Sequence, residues 1–578
     1  MTPPSRSGGA ARPAEKGSPG WTARAWSRAR PTLLFLGAWA VLDILLNARY
    51  PRHEPPLGYL RPSLDVTALW GLFALLGWRR RPPPAWLEPV AAGLVVAARI
   101  LRFSDGVTIR YFNRPIELYL DLPMAPDVLW LLKSTVPLRY LLPGAALALA
   151  AVVVTFWVAR WALRRGQSYL AASRHRSIWL GTLVLLSLWP WPSALRGPDG
   201  DDLRWGPFGA SVVPRLARET ALALAAPERR RTQRAALLAL AASRRDQPTR
   251  GLERLHGADV FLFLIESYGA TVIDQPAQRR QIALVYADLE RALTGAGFVT
   301  ASSLLESPTY AGRSWLAQET LATGVRVTDR VGDALVQEVR PRAMAGYFRD
   351  AGYDTLLVQP GTTLRAPMRW AYDFQRTDSA WDFDYRGPTF RWAWMPDQYV
   401  VNFVHQRELA AAASPRRRFI EYALVSSHAP WSEQPALIDD WSAIGDGELY
   451  QRLPPVRFPI SWTNLDRGGA AYVRSLAYDL EVIGRYVTSA LPPGALVIIL
   501  GDHQPVADIT GQSPSAAVPI HVISRDHGFV DRFLARGYTS GLSPRRSAQS
   551  PPGMETFLPT FLEAFSEPPA ASAAPSHP

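Results

Sequence analysis

The chain has 578 residues, 63 Lys+Arg against 50 Asp+Glu, a net charge of +13 and no cysteine. That length exceeds one usual domain, so at least two units are expected. The missing thiols exclude disulfides, thiolate metal sites and a cysteine nucleophile, and the positive charge, carried mostly by arginine, comes without a recognised nucleic-acid motif.

Apolar runs come first along the chain. A helix needs roughly twenty apolar residues to cross a bilayer, and about five candidates lie near 31–48, 64–79, 86–103, 139–162 and 177–195. The clearest, from Tyr140 to Trp161, contains Ala146-Leu147-Ala148-Leu149-Ala150-Ala151-Val152-Val153-Val154. Residues 116–135 carry acids and prolines and fit a re-entrant or interfacial segment better than a further span. Arg24, Arg28 and Arg30 precede the first run, Arg79, Arg80 and Arg81 follow the second, and Arg164, Arg165, Arg174 and Arg176 separate the fourth from the fifth. With five spans all three places fall on one side, the cytoplasmic side. Arg49, Arg52 and Arg61 weaken this bias without reversing it. An odd number of spans puts everything after residue 195 outside.

The N-terminal stretch is too long and too charged before its first apolar run to read as a cleaved signal peptide. Buried helices of a large soluble protein are the plainer alternative. Against it stand the arginine placement and the tryptophans at run ends, Trp78, Trp86, Trp189 and Trp191, which suit an interfacial belt. Few charges fall within the runs, which disfavours a transporter.

A turn at Gly197-Pro198-Asp199-Gly200 leads into a helical stretch from about Pro214 to Arg245. Its cluster Arg229-Arg230-Arg231-Arg234 reads as a solvated helix face, with anionic headgroups as the alternative contact. Beyond it, Val260 to Ile265, Thr355 to Val358, Ile420 to Val425 and Leu496 to Leu500 read as strands. The first and last are continuously apolar, as in strands covered on both faces of a mostly parallel sheet. Helical patterns near 278–296, 314–323, 341–351 and 470–490 supply the crossovers. In such an α/β architecture, ligands gather beyond the carboxyl ends of the strands.

Chemistry-bearing residues fall in those places. Glu266 ends the first strand, Asp502 and His503 end another, and His428 follows a third in Ser426-Ser427-His428-Ala429-Pro430. Each alone reads as structural, while together they read as a site. Between them runs Gly312-Arg313-Ser314-Trp315, opening a helix that ends near Thr323-Gly324. A serine flanked by carboxylates and imidazole is a candidate metal-activated nucleophile. Ser307 and Thr309 are nearby alternatives, Thr309 the stronger.

At these residues the chain resembles the sulfatase-like transferases of the alkaline-phosphatase superfamily, particularly the lipoteichoic acid synthase and phosphoethanolamine transferase group. The resemblance covers nearly the whole chain. It implies an α-helical membrane domain of about five spans followed by an exported α/β alkaline-phosphatase/sulfatase-like domain. The expected divisions are a cytoplasmic tail at 1–30, a transmembrane domain at 31–195, a helical linker at 196–255, a catalytic domain at 256–566 and a tail at 567–578. It further implies Ser314 as nucleophile, with Glu266, Ser314, Asp502 and His503 as ligands of one divalent metal. His428 and Arg313 would contact the phosphoryl group, and Arg369 and Trp370 the headgroup. Ligands without sulfur suit manganese or zinc (Mn2+ or Zn2+).

The implied activity is transfer of a phosphoglycerol or phosphoethanolamine headgroup from a membrane phospholipid to an envelope glycan or lipid, through a covalent Ser314 intermediate. The implied location is the bacterial cytoplasmic membrane, multi-pass, with the catalytic domain extracytoplasmic and no nucleic-acid partner. Alternatives are a phosphodiesterase or phosphonate-ester hydrolase on the same machinery, and a non-catalytic glycan-binding scaffold. Serine stands where these transferases generally use threonine. Trp315-Leu316-Ala317-Gln318 lacks the sequence for conversion to formylglycine, which disfavours sulfate-ester hydrolysis.

Overall fold

The computed structural model describes residues 21–48, 62–78, 84–126, 128–129, 133, 138–173, 176–188, 212–246, 251–362, 372–390, 393–410, 416–431, 433–461, 464–511 and 515–567. The chain forms two compact units, Met1–Val107 with Ala125–Ala221, and Thr108–Met124 with Leu222–Pro578.

The first unit is helical. Its core joins Phe35 and Leu42 of the helix Trp21–Asn47 to Trp70 of Leu64–Trp78, Leu163 and Leu170 of Leu138–Ala172, and Leu183 of Arg176–Leu188. Phe35 stacks on Tyr169 with centroids 4.8 Å apart. Gly166 admits the Trp70 ring, which a Cβ there would meet at 2.1 Å. Among the described residues two helices are long and apolar enough to cross a membrane, Ala29–Asn47 and Leu138–Ala172. None of the apolar window of the second is buried, and Leu147 and Leu149 are 73% and 66% exposed.

Among the described residues, length and composition support two of the five expected spans and do not confirm the count. Leu64–Leu76 is short, and Arg176–Leu188 has 13 described residues. The run expected near 86–103 belongs to the longer helix Leu87–Phe112, whose Arg102 and Asp105 are buried. Asp105 lies 3.7 Å from Arg215, so its charge is satisfied inside the unit.

The second unit is built on an eight-stranded sheet: β1 Val260–Ile265, β2 Val299–Glu306, β3 Asp354–Gln359, β4 Arg376–Ser379, β5 Arg418–Leu424, β6 Leu496–Gly501, β7 Ala517–Ser524 and β8 Thr539–Ser540. The spatial order is β4-β3-β5-β1-β6-β7-β2-β8. Strand β1 is central because both its faces are covered. Phe261, Phe263 and Ile265 join the core formed with Ile282, Tyr472 and Trp431, while Val260, Leu262 and Leu264 join the core containing Phe348, Phe419 and Phe561. Each fully buried apolar side chain contributes on the order of 1.5–3 kcal/mol. This two-sided burial accounts for the unbroken apolar run.

The sheet departs from the expected parallel pattern at one side. Strands β4, β3, β5, β1 and β6 pair in parallel, whereas β7 joins β6, and β2 joins β7 and β8, antiparallel. β2 and β7 escape pattern reading because Ser302 and His521 interrupt their apolar runs. Inside the sheet these two satisfy each other at 2.7 Å. The helices Pro276–Gly295, Ser314–Thr323, Met344–Asp350 and Gly469–Ser489 lie where helical patterns were expected. In the segment 116–135, Leu118–Asp121 is a short helix, and Thr108–Met124 belongs to this unit, with Arg110 on Asp508 at 3.0 Å.

Candidate active site

Register places the site. Ile265 of β1 pairs with Leu424 of β5 on one side and with Gly501 of β6 on the other. The next residues, Glu266, Val425 and Asp502, therefore leave three adjacent parallel strands at one level. Gly501 is required there, since a Cβ would come within 1.9 Å of the Tyr268 carbonyl oxygen. Ser267 takes a left-handed φ of 58°. Its N–H donates to Asp502 Oδ1 at 2.7 Å and its hydroxyl to Glu266 Oε1 at 3.0 Å. The turn after β1 thus binds both carboxylates.

Ser314 reaches this point from a distant strand end. Ala311 N–H donates to Gln504 O at 2.9 Å, tying the loop beside His503. Ala311, Gly312 and Arg313 then have φ of 54°, 130° and 63°. Left-handed backbone costs a non-glycine residue roughly 1–2 kcal/mol, and such strain at a functional turn is held by its surroundings. The strained turn makes Ser314 the first residue of the helix Ser314–Thr323. The early N–H groups of a helix lack intrahelical acceptors and favour an anion.

The side chains converge. Ser314 Oγ donates to Glu266 Oε2 at 2.9 Å and lies 3.1 Å from His503 Nε2. His503 Nε2 is 3.3 Å from Glu266 Oε1 and 3.5 Å from Asp502 Oδ2. Ligand atoms of Glu266, Asp502 and His503 all lie within 4.8 Å of one another, and all three residues are buried. His503 Nδ1 donates to the Gln504 carbonyl at 2.8 Å, which turns Nε2 toward the carboxylates.

Electrostatics mark the same spot. Burial raises the Glu266 carboxyl, but His503 and the Ser314 hydrogen bond overcome it and hold the group well below the usual range. Burial, then the charge of Glu266, raises Asp502 to about 7. Burial lowers His503, yet Asp502 and Glu266 outweigh it and raise the ring to about 9. Without a cation these groups retain protons to offset the crowded negative charge, so a divalent ion fits the donor set and would take the place of those protons.

His428 is partly buried, its Nδ1 donating to the Ala429 carbonyl at 2.5 Å. Burial lowers its pKa, and the negative charge of Glu266 works against that. Arg313 donates to Thr328 O at 3.1 Å. Burial and the like charge of Arg114 lower it to about 10, against Asp121, Asp329 and Glu117. Ser307 gives its hydroxyl hydrogen to Asp502 O at 2.6 Å, and Thr309 Oγ1 is buried without a partner among the described residues. Of the three hydroxyls weighed from sequence, Ser314 is the one that touches both Glu266 and His503. Arg369 and Trp370 lie outside the described residues.

Sequence reading gave no supporting role to Ser267 and Ser427. Ser427 donates to the Glu266 carbonyl at 2.7 Å. Their only signal was adjacency, Ser267 after Glu266 and Ser427 before His428.

No family model matches the sequence, and no curated protein matches it. Among solved structures the chain is similar to the lipoteichoic acid synthase LtaP from Listeria monocytogenes, at 12% identity over 54% of this chain and 73% of that one, TM-score 0.34. It is similar to the C-terminal periplasmic domain of EcEptC from Escherichia coli in complex with Zn, at 12% identity over 54% and 82%, TM-score 0.35. It is also similar to the Streptococcus pyogenes phosphoglycerol transferase GacH in complex with sn-glycerol-1-phosphate, at 13% identity over 58% and 91%, TM-score 0.32. These are alkaline-phosphatase superfamily proteins.

Proposed function

We propose that the chain is a membrane-anchored, metal-dependent transferase that moves a phosphoglycerol or phosphoethanolamine headgroup from a phospholipid to an envelope glycan or lipid. The observation that carries this reading is Ser314 Oγ at the head of a helix, 2.9 Å from Glu266 and 3.1 Å from His503, with Asp502 in the same buried cluster. Glu266, Asp502 and His503 would hold manganese or zinc, which supplies a lower pKa to the serine hydroxyl and charge neutralisation to the phosphoryl oxygens.

The chain's own groups do the rest. Ser314 Oγ forms a bond to phosphorus, the bond from phosphorus to the lipid glycerol oxygen breaks, and diacylglycerol leaves with a proton. An acceptor hydroxyl oxygen then bonds to phosphorus, Ser314 Oγ departs, and the acceptor's proton restores the serine. His428 and the N–H groups at the head of the Ser314 helix face the phosphoryl oxygens in both stages. Arg313 adds positive charge next to Ser314, and Arg369 and Trp370 are assigned to the headgroup.

The same reading assigns 31–195 to the membrane, 196–255 to a linker and 256–566 to the catalytic domain, exported across the bacterial cytoplasmic membrane. Arginine placement and the apolar helices Ala29–Asn47 and Leu138–Ala172 support it. Anchoring puts donor and site at one surface. The test is diacylglycerol release from vesicles of phosphatidylglycerol or phosphatidylethanolamine by the full chain with Mn2+ or Zn2+. Metal-dependent release that Ser314→Ala lacks is expected. Equal release by that variant would overturn the reading. Free headgroup without transfer would favour the hydrolase alternative.

A further inference from the structure

Behind the site lies a pair of acids that the proposed chemistry does not use. Asp479, in the helix Gly469–Ser489, and Asp397, first residue of the helix Asp397–His405, are both fully buried. Their carboxyls are in hydrogen-bonding contact. Two carboxylates so close in a dry interior cannot both be charged.

Their surroundings are unequal. Asp397 Oδ2 accepts the Ser426 N–H at 2.8 Å and Oδ1 the Val425 N–H at 3.3 Å. Its own N–H donates to Ser426 Oγ at 3.2 Å. Among the described residues, neither oxygen of Asp479 receives a hydrogen bond. The Ser427 hydroxyl lies against it but donates to the Glu266 carbonyl. The charges acting on Asp479 most strongly, Asp397 and Glu266, are both acidic.

We propose that Asp479 is a neutral acid donating its proton to an ionised Asp397, and that this pair positions the turn Val425–His428 and, through Ser427, Glu266. Backbone donors favour the charged form of a carboxyl, which places the charge on Asp397. A carboxylate accepts only, so one of two facing carboxyls must carry a hydrogen, and Asp479 is the one without donors. Burial, and then the charge of Asp397, pushes the Asp479 carboxyl well up. Both residues are positioning residues, since neither touches the reacting atoms. Their consequence for Glu266 and His428 rests on the proposed site, while the proton assignment stands without it.

The test uses the full chain in detergent and two readouts that need no substrate. Infrared difference spectra of Asp479→Asn against wild type should show loss of one protonated-carboxyl band. Mn2+ titration should give wild-type affinity for Asp479→Asn, whose amide donates as the acid does. Asp397→Asn and Asp479→Ala should weaken Mn2+ binding by about tenfold or more, the usual size for groups behind a metal ligand. Absence of the band from the difference spectrum overturns the proposal. So does equal loss of Mn2+ affinity in Asp479→Asn and Asp479→Ala, or a second bound metal equivalent that Asp479→Asn removes. Should Asp397→Asn fail to fold, the contrast between the two Asp479 variants decides alone. Failure of the transferase reading would appear separately, as absent diacylglycerol release beside an intact band.

Discussion

Ile265 and Gly501 face each other on the last rung joining β1 to β6, so Glu266 and Asp502 leave the sheet side by side. Ser267 then bridges them, with its N–H on Asp502 and its hydroxyl on Glu266. The cluster is thus a product of strand register: a slip of one residue would send one of the two carboxylates to the other face.

That dependence makes Gly501→Ala informative. The new methyl would meet the Tyr268 carbonyl at 1.9 Å, and backbone has little room to yield. A loss of roughly 1–3 kcal/mol is expected, together with weakened metal binding. Denaturant midpoints and Mn2+ titration of the same sample check both.

Ser314→Ala and Thr309→Val separate the two hydroxyls. Loss of a nucleophile commonly removes three or more orders of magnitude in rate, and about that loss is expected for Ser314→Ala. Thr309 Oγ1 has no partner among the described residues, so Thr309→Val should leave turnover near wild type. Initial rates of diacylglycerol release measure both.

Removing the ion should cost stability as well as activity. Binding to the folded state alone at a hundredfold excess over Kd adds about 2.7 kcal/mol. Chelation should therefore lower the thermal midpoint of wild type by several degrees and leave Glu266→Gln and Asp502→Asn nearly unmoved. Differential scanning calorimetry with and without chelator reads the difference.

A pH effect is expected away from the metal. Glu421, buried in β5, is raised from 4.5 to about 7 by burial, against a hydrogen bond from Gln318 at 2.7 Å. Its folded pKa lies above the unfolded one, so the folded state binds more protons between these values. The contribution to stability is fully present below pH 4.5 and is lost as pH rises toward 7. Glu421→Gln should match wild type at pH 5 and exceed it at pH 8. Urea midpoints across that range test the sign.

How far the sequence was legible follows from these residues. Glu266 and Asp502-His503 were visible because they end unbroken apolar runs, the mark of strands buried on both faces. Ser314 was visible through its place at the start of a helical pattern. β2 and β7 were not, since Ser302 and His521 look like surface residues until the fold pairs them. Arg102 falls at the end of the run near 86–103 and Asp105 just beyond it, and the burial of both was not readable from an apolar run. Asp397 and Asp479 were invisible for a similar reason: each belongs to a different helix, and only tertiary packing brings them together.

In the proposed reaction Ser314 carries the headgroup. The most direct measurement is intact-mass spectrometry with peptide mapping of the full chain in detergent, incubated with Mn2+ and each phospholipid, with Ser314→Ala alongside. The expected result is a phosphoglycerol or phosphoethanolamine mass increment on the peptide containing Ser314, absent from the variant. Diacylglycerol release with no adduct under rapid quench, or an adduct mapped to another residue, would contradict it.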